Sequence, residues 1–475
     1  MATTALFAVG GAAPAAGPSV SAIAVGYLHA CALLSGGAVK CWGANGNGQL
    51  GDGTTKDRHS AVPVTGLPTG IRTLVAGGAH TCALLSDASV RCWGDDEYGQ
   101  LGDGAVAPTQ PPKAVSGLAG EVSQVAAGAI HTCAIVTGGL VECWGDNRYG
   151  QLGDGTTTSS LHPKPVTALG KEVEEVTAGA FHTCALRSGS VWCWGYNQFG
   201  QLGDGTTGGG LTPVPVAGLG GSVQAIAAGA GHTCALLASG GVKCWGDDEY
   251  GQLGDDQKVL SEPSPVAVEE LDGPVQAIAT GFTDTCALLR TGEVQCWGNL
   301  FEETAEAVRG LERGATAVAV NGDDTYEDHA CAIMGAGGAK CWGANDDGQV
   351  GNGTVQDLRF TPSAVLGLAD GVHVLTVRVN GHGTVTGAAI RCKDQCGYER
   401  PQGATVALTA HPAKRSVFKG WSGACNGKRT RCFVALGAEL TATARFAKRP
   451  GRGRPSPGWS ADRLDGPEAR IRQSH

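Results

Sequence analysis

Eighteen cysteines are the reactive side chains whose spacing is most regular in this 475-residue sequence. Fourteen fall into seven pairs: Cys31/Cys41, Cys82/Cys92, Cys133/Cys143, Cys184/Cys193, Cys234/Cys244, Cys286/Cys296 and Cys331/Cys341. Thiols so arranged can act as nucleophiles, bind zinc, remain as small buried apolar groups or close disulfides. No Cys-x-x-Cys knuckle is present to favour zinc, and two cysteines per unit are better explained as bridges than as nucleophiles. Six pairs enclose nine residues and the fourth encloses eight. Nine allow a hairpin with a three-residue loop, and eight allow the two-residue loop Ser188-Gly189. Either places the two cysteines directly opposite on antiparallel strands, about 4.5–5.5 Å apart at Cα and within disulfide reach. Seven cross-strand disulfides are therefore expected, and with them an oxidising compartment.

Histidine recurs at one position, as His29, His80, His131, His182, His232 and His329, with Asp284 in the remaining unit. Six imidazoles suggest a metal. Equivalent positions in successive repeats stand too far apart to share an ion with bonds of about 2.1 Å, so a structural role is expected. Oxygen-rich runs, Asp95-Asp-Glu-Tyr, Asp146-Asn-Arg-Tyr and Asp247-Asp-Glu-Tyr, suit calcium chemistry. None follows the twelve-residue calcium loop, and Asp or Asn also caps turns, as expected of Asp103, Asp154 and Asp204 in Gly-Asp-Gly. No Gly-x-Ser-x-Gly elbow, phosphate loop or His-Glu-x-x-His occurs. Neither catalytic residues nor a cofactor are expected, and calcium remains the one ion the loops would suit.

The elements that carry these residues follow from a repeat. Cys-Trp-Gly occurs seven times, with Trp42, Trp93, Trp144, Trp194, Trp245, Trp297 and Trp342 spaced 51, 51, 50, 51, 52 and 45 residues apart. Each unit holds short alternating apolar runs between glycine, asparagine and aspartate clusters, which predicts four short strands. Seven four-stranded units predict an all-β chain built as a seven-bladed β-propeller over residues 20–370; a linear β-solenoid is the alternative. Glycine contributes 77 residues and charged residues only 17%, which excludes a coiled coil, while 42% hydrophobic content argues against a disordered chain. No apolar run is long enough to span a bilayer.

Ala-Ala-Gly-x-x-His-Thr-x-Ala-Leu, then Trp-Gly, then Tyr-Gly-Gln-Leu-Gly-Asp-Gly-Thr recur in that order over roughly residues 20–368. The sequence resembles the regulator of chromosome condensation repeat family. That resemblance implies a seven-bladed propeller, a structural histidine and Cys-Trp tryptophans packed between blades, so photoreception is not expected. The family's nuclear members are intracellular, which the cysteine pattern argues against here.

Residues 371–475 hold 18 Lys+Arg against 6 Asp+Glu, a net of +12, while the remainder nets −21. Strand-like runs continue through 371–446. The run Gly-x-Val-x-Gly, Cys392-x-x-x-Cys396, Phe418-Lys-Gly-Trp-Ser-Gly-Ala-Cys425 and Cys432 resembles the divergent internalin-B-type repeat, a small β module of bacterial surface and secreted proteins. Its four cysteines allow three connectivities; the local pairs Cys392–Cys396 and Cys425–Cys432 are favoured. Residues 447–475, rich in arginine, proline and glycine, are expected to be a disordered basic tail. Residues 1–19 read either as a signal remnant or as a closing strand.

These features predict an extracellular or cell-surface bacterial protein that binds another protein through propeller loops. No nucleic acid partner and no membrane span are expected, and the chain is expected to be a monomer. From Asp247 to Ala330 acidic residues outnumber basic ones 19 to 4, so the loops of units five to seven suit a basic partner. The residues expected to meet it are Glu302, Glu303, Asp323, Asp324, Tyr326, Glu327 and Asp328. The alternatives are a stoichiometric inhibitor of a secreted hydrolase such as a β-lactamase, by fold-level analogy, or a guanine-nucleotide exchange factor-like protein.

Overall fold

In the computed structural model the described residues are 19–448, apart from positions 108, 258, 302–303, 323–327, 356–358, 369–371, 388–389, 402–403 and 437–439. The readings of residues 1–19 as signal or closing strand and of 447–475 as a basic tail fall almost wholly outside them. The described chain is all-β but for one 3-10 turn, Thr167–Leu169. Seven four-stranded antiparallel sheets follow one another in chain order. The first, typical of the set, pairs Val20–Val25, His29–Leu34, Val39–Gly43 and Arg58–Pro63 in sequence. The first strands of all seven blades line a central cavity of about 510 Å³. Their small side chains, such as Ala24, Ala76 and Ala227, let seven strands converge on one axis.

Each blade closes on itself, with all four strands drawn from one continuous segment. Blades seven and one are joined by side chains and single backbone bonds. Val20 N–H donates to Gly337 O (2.8 Å), Ala61 N–H to Leu366 O (2.8 Å) and Trp42 Nε1 to Gln349 O (2.8 Å).

In every blade the two cysteines are direct partners on the second and third strands, and all seven expected disulfides form. The spacing needs a correction: the Cα atoms stand closer than the about 4.5–5.5 Å of an ordinary antiparallel pair. The separation is 4.0 Å for Cys31–Cys41 and Cys133–Cys143. It is 4.1 Å for Cys82–Cys92, Cys184–Cys193, Cys234–Cys244, Cys286–Cys296 and Cys331–Cys341. The hairpin bond explains the direction. Leu34 N–H donates to Ala38 O (2.9 Å), and alternation from there makes Cys31/Cys41 a non-hydrogen-bonded pair, the closer of the two kinds. A second departure lies on the other side of the third strand. Just past Cys41, Cys92, Cys143, Cys193, Cys244 and Cys341 the pairing with the fourth strand shifts register, an irregularity that the cysteine spacing did not predict. Cys296 instead meets Glu306 on a strand of only two residues.

Between blades the core is a repeated unit. Both cysteines of one blade pack, wholly buried, with the tryptophan of the next. Cys31 and Cys41 share a cluster with Trp93, Cys133 and Cys143 with Trp194, and, closing the ring, Cys331 and Cys341 with Trp42.

A polar relay runs beside this apolar contact. Gln151 O in blade three accepts the Thr183 hydroxyl (2.9 Å) and Trp194 Nε1 (2.9 Å), both from blade four. Because that hydroxyl gives its hydrogen to the carbonyl, it accepts from His131 Nε2 of blade three (2.9 Å). The ring is therefore the neutral Nε2–H tautomer, and burial holds its pKa down at about 3. The same trio joins each successive pair from blades one and two through blades five and six. Glycine is required beside it: a Cβ on Gly128 would overlap the His131 ring and Gly179 O.

The C-terminal strands form two further four-stranded sheets that share one core. Val372–Asn380 runs parallel to Leu440–Lys448 at the centre of one, and Gly383–Gly387 lies beside Thr405–Pro412 at the centre of the other. Trp421, Leu375, Leu408 and Phe446 belong to that core. Disulfides join Cys392 to Cys396 and Cys425 to Cys432. Gln395 Nε2 reaches Gly353 O of blade seven at 3.0 Å.

Two measurements check the relay. Thr183→Val leaves the His131 donor unpaired and is expected to cost about 1–3 kcal/mol of unfolding free energy, measured by chemical denaturation. Histidine-selective nitrogen NMR is expected to show the rings of His29, His131, His182 and His232 still neutral at pH 5, because their pKa values lie near 3. A depressed base stabilises the fold fully above about pH 6.5 and loses that contribution as pH falls toward 3; rings titrating near 6.5 would contradict the relay.

Candidate functional site

Strand direction alternates within each blade, so the turns between first and second strands and the loops between third and fourth emerge on one face. That face gathers the aromatic surface of the propeller. Tyr27, Phe181 and Phe282 stand in first-to-second turns, and Tyr98, Tyr149, Tyr196, Phe199 and Tyr250 in third-to-fourth loops. Four of them form a cluster across blades three and four. Tyr149 lies 4.9 Å from Tyr196 and 5.4 Å from Phe181, and Tyr196 lies 6.1 Å from Phe199, all edge to face. Tyr149 is 40% and Phe199 37% exposed. Leu211, also exposed, sits against Gly150 beside them.

Each loop is held from below by its own glutamine and asparagine. Tyr149 N–H donates to Gln151 Oε1 (3.0 Å) and Phe199 N–H to Gln201 Oε1 (3.1 Å). Leu152 N–H donates to Asn147 Oδ1 (2.9 Å) and Leu202 N–H to Asn197 Oδ1 (2.8 Å). The aromatic rings thus project from rigid loops.

Acidic groups border the cluster. Asp247 and Phe199 both lie against Gly231. Burial pushes the Asp247 carboxyl up to about 6, and its charge, with Tyr149, helps raise the Tyr196 hydroxyl behind the larger effect of burial. On the neighbouring side Arg148 lies over the Tyr98 ring at 4.8 Å and pairs with Asp146 at 3.0 Å. Asp95, Asp146 and Asp247, marked in the sequence as oxygen-rich, all sit on this face. Burial also lifts Asp96 and Asp248, beneath the surface, to about 7.

Of the residues expected to meet a partner, Glu302, Glu303, Asp323, Asp324, Tyr326 and Glu327 lie outside the described residues. Asp328 requires a correction. It is 1% exposed and belongs to a strand, Asp328–Met334, with its carboxylate turned toward blade six. Asp328 Oδ1 accepts Phe282 N–H (2.9 Å), and Oδ2 accepts the N–H groups of Thr283 (3.0 Å) and Asp284 (2.8 Å). Three backbone donors hold it inside as an interblade clamp. Burial pushes Asp328 up to about 6, and burial with Asp328's charge raises Asp284 well above the carboxylate range. The sequence reading overlooked the aromatic cluster; its signal was the aromatic that recurs just before Gly-Gln-Leu-Gly at Tyr98, Tyr149, Phe199 and Tyr250.

Comparison with known proteins agrees with this architecture. The RCC1-like domain matches residues 8–304 and the divergent InlB B-repeat domain residues 373–450. The chain is a member of the RCC1-like propeller family with a divergent InlB B-repeat domain behind it. It is 32% identical to the ultraviolet-B receptor UVR8 of Arabidopsis thaliana over 352 residues, 71% of this chain and 80% of the receptor. It is 34% identical over 349 residues to the E3 ubiquitin-protein ligase HERC2 of Homo sapiens, covering 69% of this chain but 6% of the ligase. Among solved structures, human WBSCR16 superposes with a TM-score of 0.64 at 23% identity, covering 71% of this chain and 96% of that one. Yeast RCC1 (Prp20) bound to Kap60 gives 0.55 at 22% identity, over 62% and 77%. At these identities both show the fold alone. Among the described residues no helix is long and apolar enough to cross a membrane.

Asp328→Ala would strand three buried N–H groups and is expected to lower unfolding free energy by more than about 3 kcal/mol, at about 1–3 kcal/mol per lost partner. A change within about 0.5 kcal/mol in chemical denaturation, as surface substitutions give, would return Asp328 to the exposed loop.

Proposed function

We propose that this protein is a secreted or cell-surface bacterial scaffold that binds another protein through the aromatic loop face of its propeller and performs no chemistry of its own. The observation that carries the reading is the cluster of Tyr149, Phe181, Tyr196 and Phe199: rigidly mounted, partly exposed and edge to face. Aromatic side chains offer large contact area with little entropy to lose and anchor protein interfaces. Asp247 and Glu249 beside the cluster and the propeller's acidic balance favour a partner that presents lysine or arginine there. Yeast Prp20 is described in complex with Kap60 and by its binding to Gsp1p and histones, so propellers of this shape serve as protein docking platforms.

Export is supported by the cysteines. All eighteen are joined in nine disulfides and none is free among the described residues, which suits an oxidising compartment. The C-terminal module, also disulfide-bearing, would space or attach the propeller at the cell surface.

The test is affinity capture from the producing cell's surface extract and culture medium. Tyr149→Ala with Phe199→Ala is expected to weaken partner binding at least about 10-fold, equivalent to about 1.4 kcal/mol, with an unchanged melting temperature. Unaltered capture by the folded variant would overturn the choice of face. Export is tested separately by alkylation and intact mass of protein from its native source: all eighteen cysteines are expected to be blocked until reduction, and eighteen free thiols would overturn it.

A further inference from the structure

Six of the seven third-to-fourth loops carry an amide or acid three residues after the blade tryptophan: Asn45, Asp96, Asn147, Asn197, Asp248 and Asn345. In all six, Oδ1 accepts the N–H of the residue five positions on, at 2.8–3.0 Å. That shared bond fixes where the second terminal atom of the side chain points.

In the asparagine loops that atom is a donor nitrogen surrounded by oxygens. Asn45 Nδ2 donates to Asp52 Oδ1 (3.1 Å), Thr54 O (2.9 Å) and Lys56 O (3.1 Å). Asn147 Nδ2 donates to Asp154 Oδ1 (3.2 Å), Thr156 O (3.1 Å) and Thr158 O (3.2 Å). The amide hydrogens occupy the centre of an oxygen cage.

In blades two and five the same place is taken by a carboxylate oxygen. Asp96 is 0% and Asp248 3% exposed, and Oδ2 of each has no hydrogen-bond partner among the described residues; the Asp96 carboxyl group is also supported by Ala107 N–H. The opposing acid is retained. Asp103 Oδ1 accepts Ala105 N–H (2.9 Å) and Asp255 Oδ1 accepts Gln257 N–H (3.1 Å), just as Asp52 and Asp154 accept in their loops. Acid therefore faces acid where the other blades set amide against acid. The exposed Lys113 reaches Asp103 Oδ2 only at 4.0 Å and leaves Oδ1, the atom that faces the amide elsewhere. In blade five the charge of Glu262 bears on Asp248 as well.

Two facing acids, one of them buried with an unmet oxygen and with no amide hydrogens between them, lack positive charge at one point. We propose that the loops of blades two and five each bind a calcium ion, held between Asp96 and Asp103 in one and between Asp248 and Asp255 in the other. Calcium takes six to eight oxygen ligands in flexible geometry and accepts backbone carbonyls and water alongside carboxylates; magnesium demands a tighter octahedron and gives up water reluctantly. Among the described residues no group of three histidine, cysteine or acidic side chains is placed to hold a metal ion, so zinc's tetrahedral side-chain set is not offered, and a calcium ion here would take the rest of its ligands from backbone carbonyls and water. Each ion would brace the loop that carries Tyr98 or Tyr250 on the interaction face.

The test is calorimetric titration of calcium chloride into full-length, chelator-stripped protein at pH 8, with thermal melting alongside. The wild type is expected to bind two calcium ions in the range of about 10⁻⁴–10⁻³ M usual for extracellular modules, and to melt higher with calcium than with chelator. Asp96→Asn and Asp248→Asn should each leave one site, and the double variant none. These substitutions restore the amide four sister blades already use, so the variants should fold and the metal-free double variant should melt no lower than the metal-free wild type. No binding by the wild type at about 10-fold above that range, or both sites surviving in the folded double variant, would overturn the proposal.

Discussion

One main-chain carbonyl in each of six blades holds the ring together. The oxygens of Gln49, Gln100, Gln151, Gln201 and Gln252 each receive two donors, a threonine hydroxyl and an indole N–H, from the following blade. A buried carbonyl has two lone pairs and is costly to leave unmet. The glutamine side chain makes the aim possible by capping its own turn, as Gln100 Oε1 does for Tyr98 N–H (2.9 Å). Glutamine is thus selected by the loop, yet its backbone serves the neighbour. The tryptophan must lie flat against the preceding blade to reach that oxygen, which places it over the disulfide, and the threonine must orient the histidine. Disulfide, indole and imidazole all take their positions from this acceptor.

The sixth blade shows what happens without it. Phe301-Glu-Glu-Thr-Ala-Glu306 replaces Gly-Gln-Leu-Gly, and Trp342 Nε1 finds no acceptor among the described residues. Histidine and threonine are lost together, as Asp284 and Ala330. The disulfide is kept: Cys286 and Cys296 still pack against Trp342. In place of the polar relay Asp328 gathers three N–H groups of the sixth-blade turn. One interblade bonding scheme has been exchanged for another, and the ring stays closed. The pH dependence also splits. Neutral buried histidines withdraw stability as pH falls below about 6.5, whereas carboxyls raised by burial, such as Asp284 and Glu175, restore it over the same range. The two sets oppose each other, so net acid sensitivity is smaller than either alone would give.

Much of this was legible in the sequence because propellers repeat. Seven Cys-Trp-Gly units at near-constant spacing give blade number and strand order, and a one-residue deletion before Cys193 that keeps two cysteines opposed betrays a hairpin. Spacing speaks only for the hairpin, however. The register shift beyond Cys41, Cys92, Cys244 and Cys341 concerns a fourth strand that returns after a long loop, so no fixed count marks it. The histidine's structural role followed from ring geometry. Its partners did not, because a hydrogen bond to Thr183 from His131 spans 52 residues and leaves no local pattern. Asp328 was misplaced for a related reason. It ends an acidic run and looks exposed by composition, but strand pairing of Gly322 with Asp328 turns its side chain inward.

Rigid frame and variable face are two consequences of the same division of labour. Glutamine and asparagine fix each loop from inside, so the residue at its tip is free of structural duty and can be aromatic in four blades. The asparagine position itself is less free, since its amide fills an oxygen cage. A change there to aspartate keeps the Oδ1 bond and reverses the need at the cage centre from acceptor to cation. Such a change in blades two and five, with the facing acid kept in both, sets acid against acid where the sister blades set amide against acid. Where a repeat is this uniform, departures of one atom become readable, because the sister blades show what the unmodified position does.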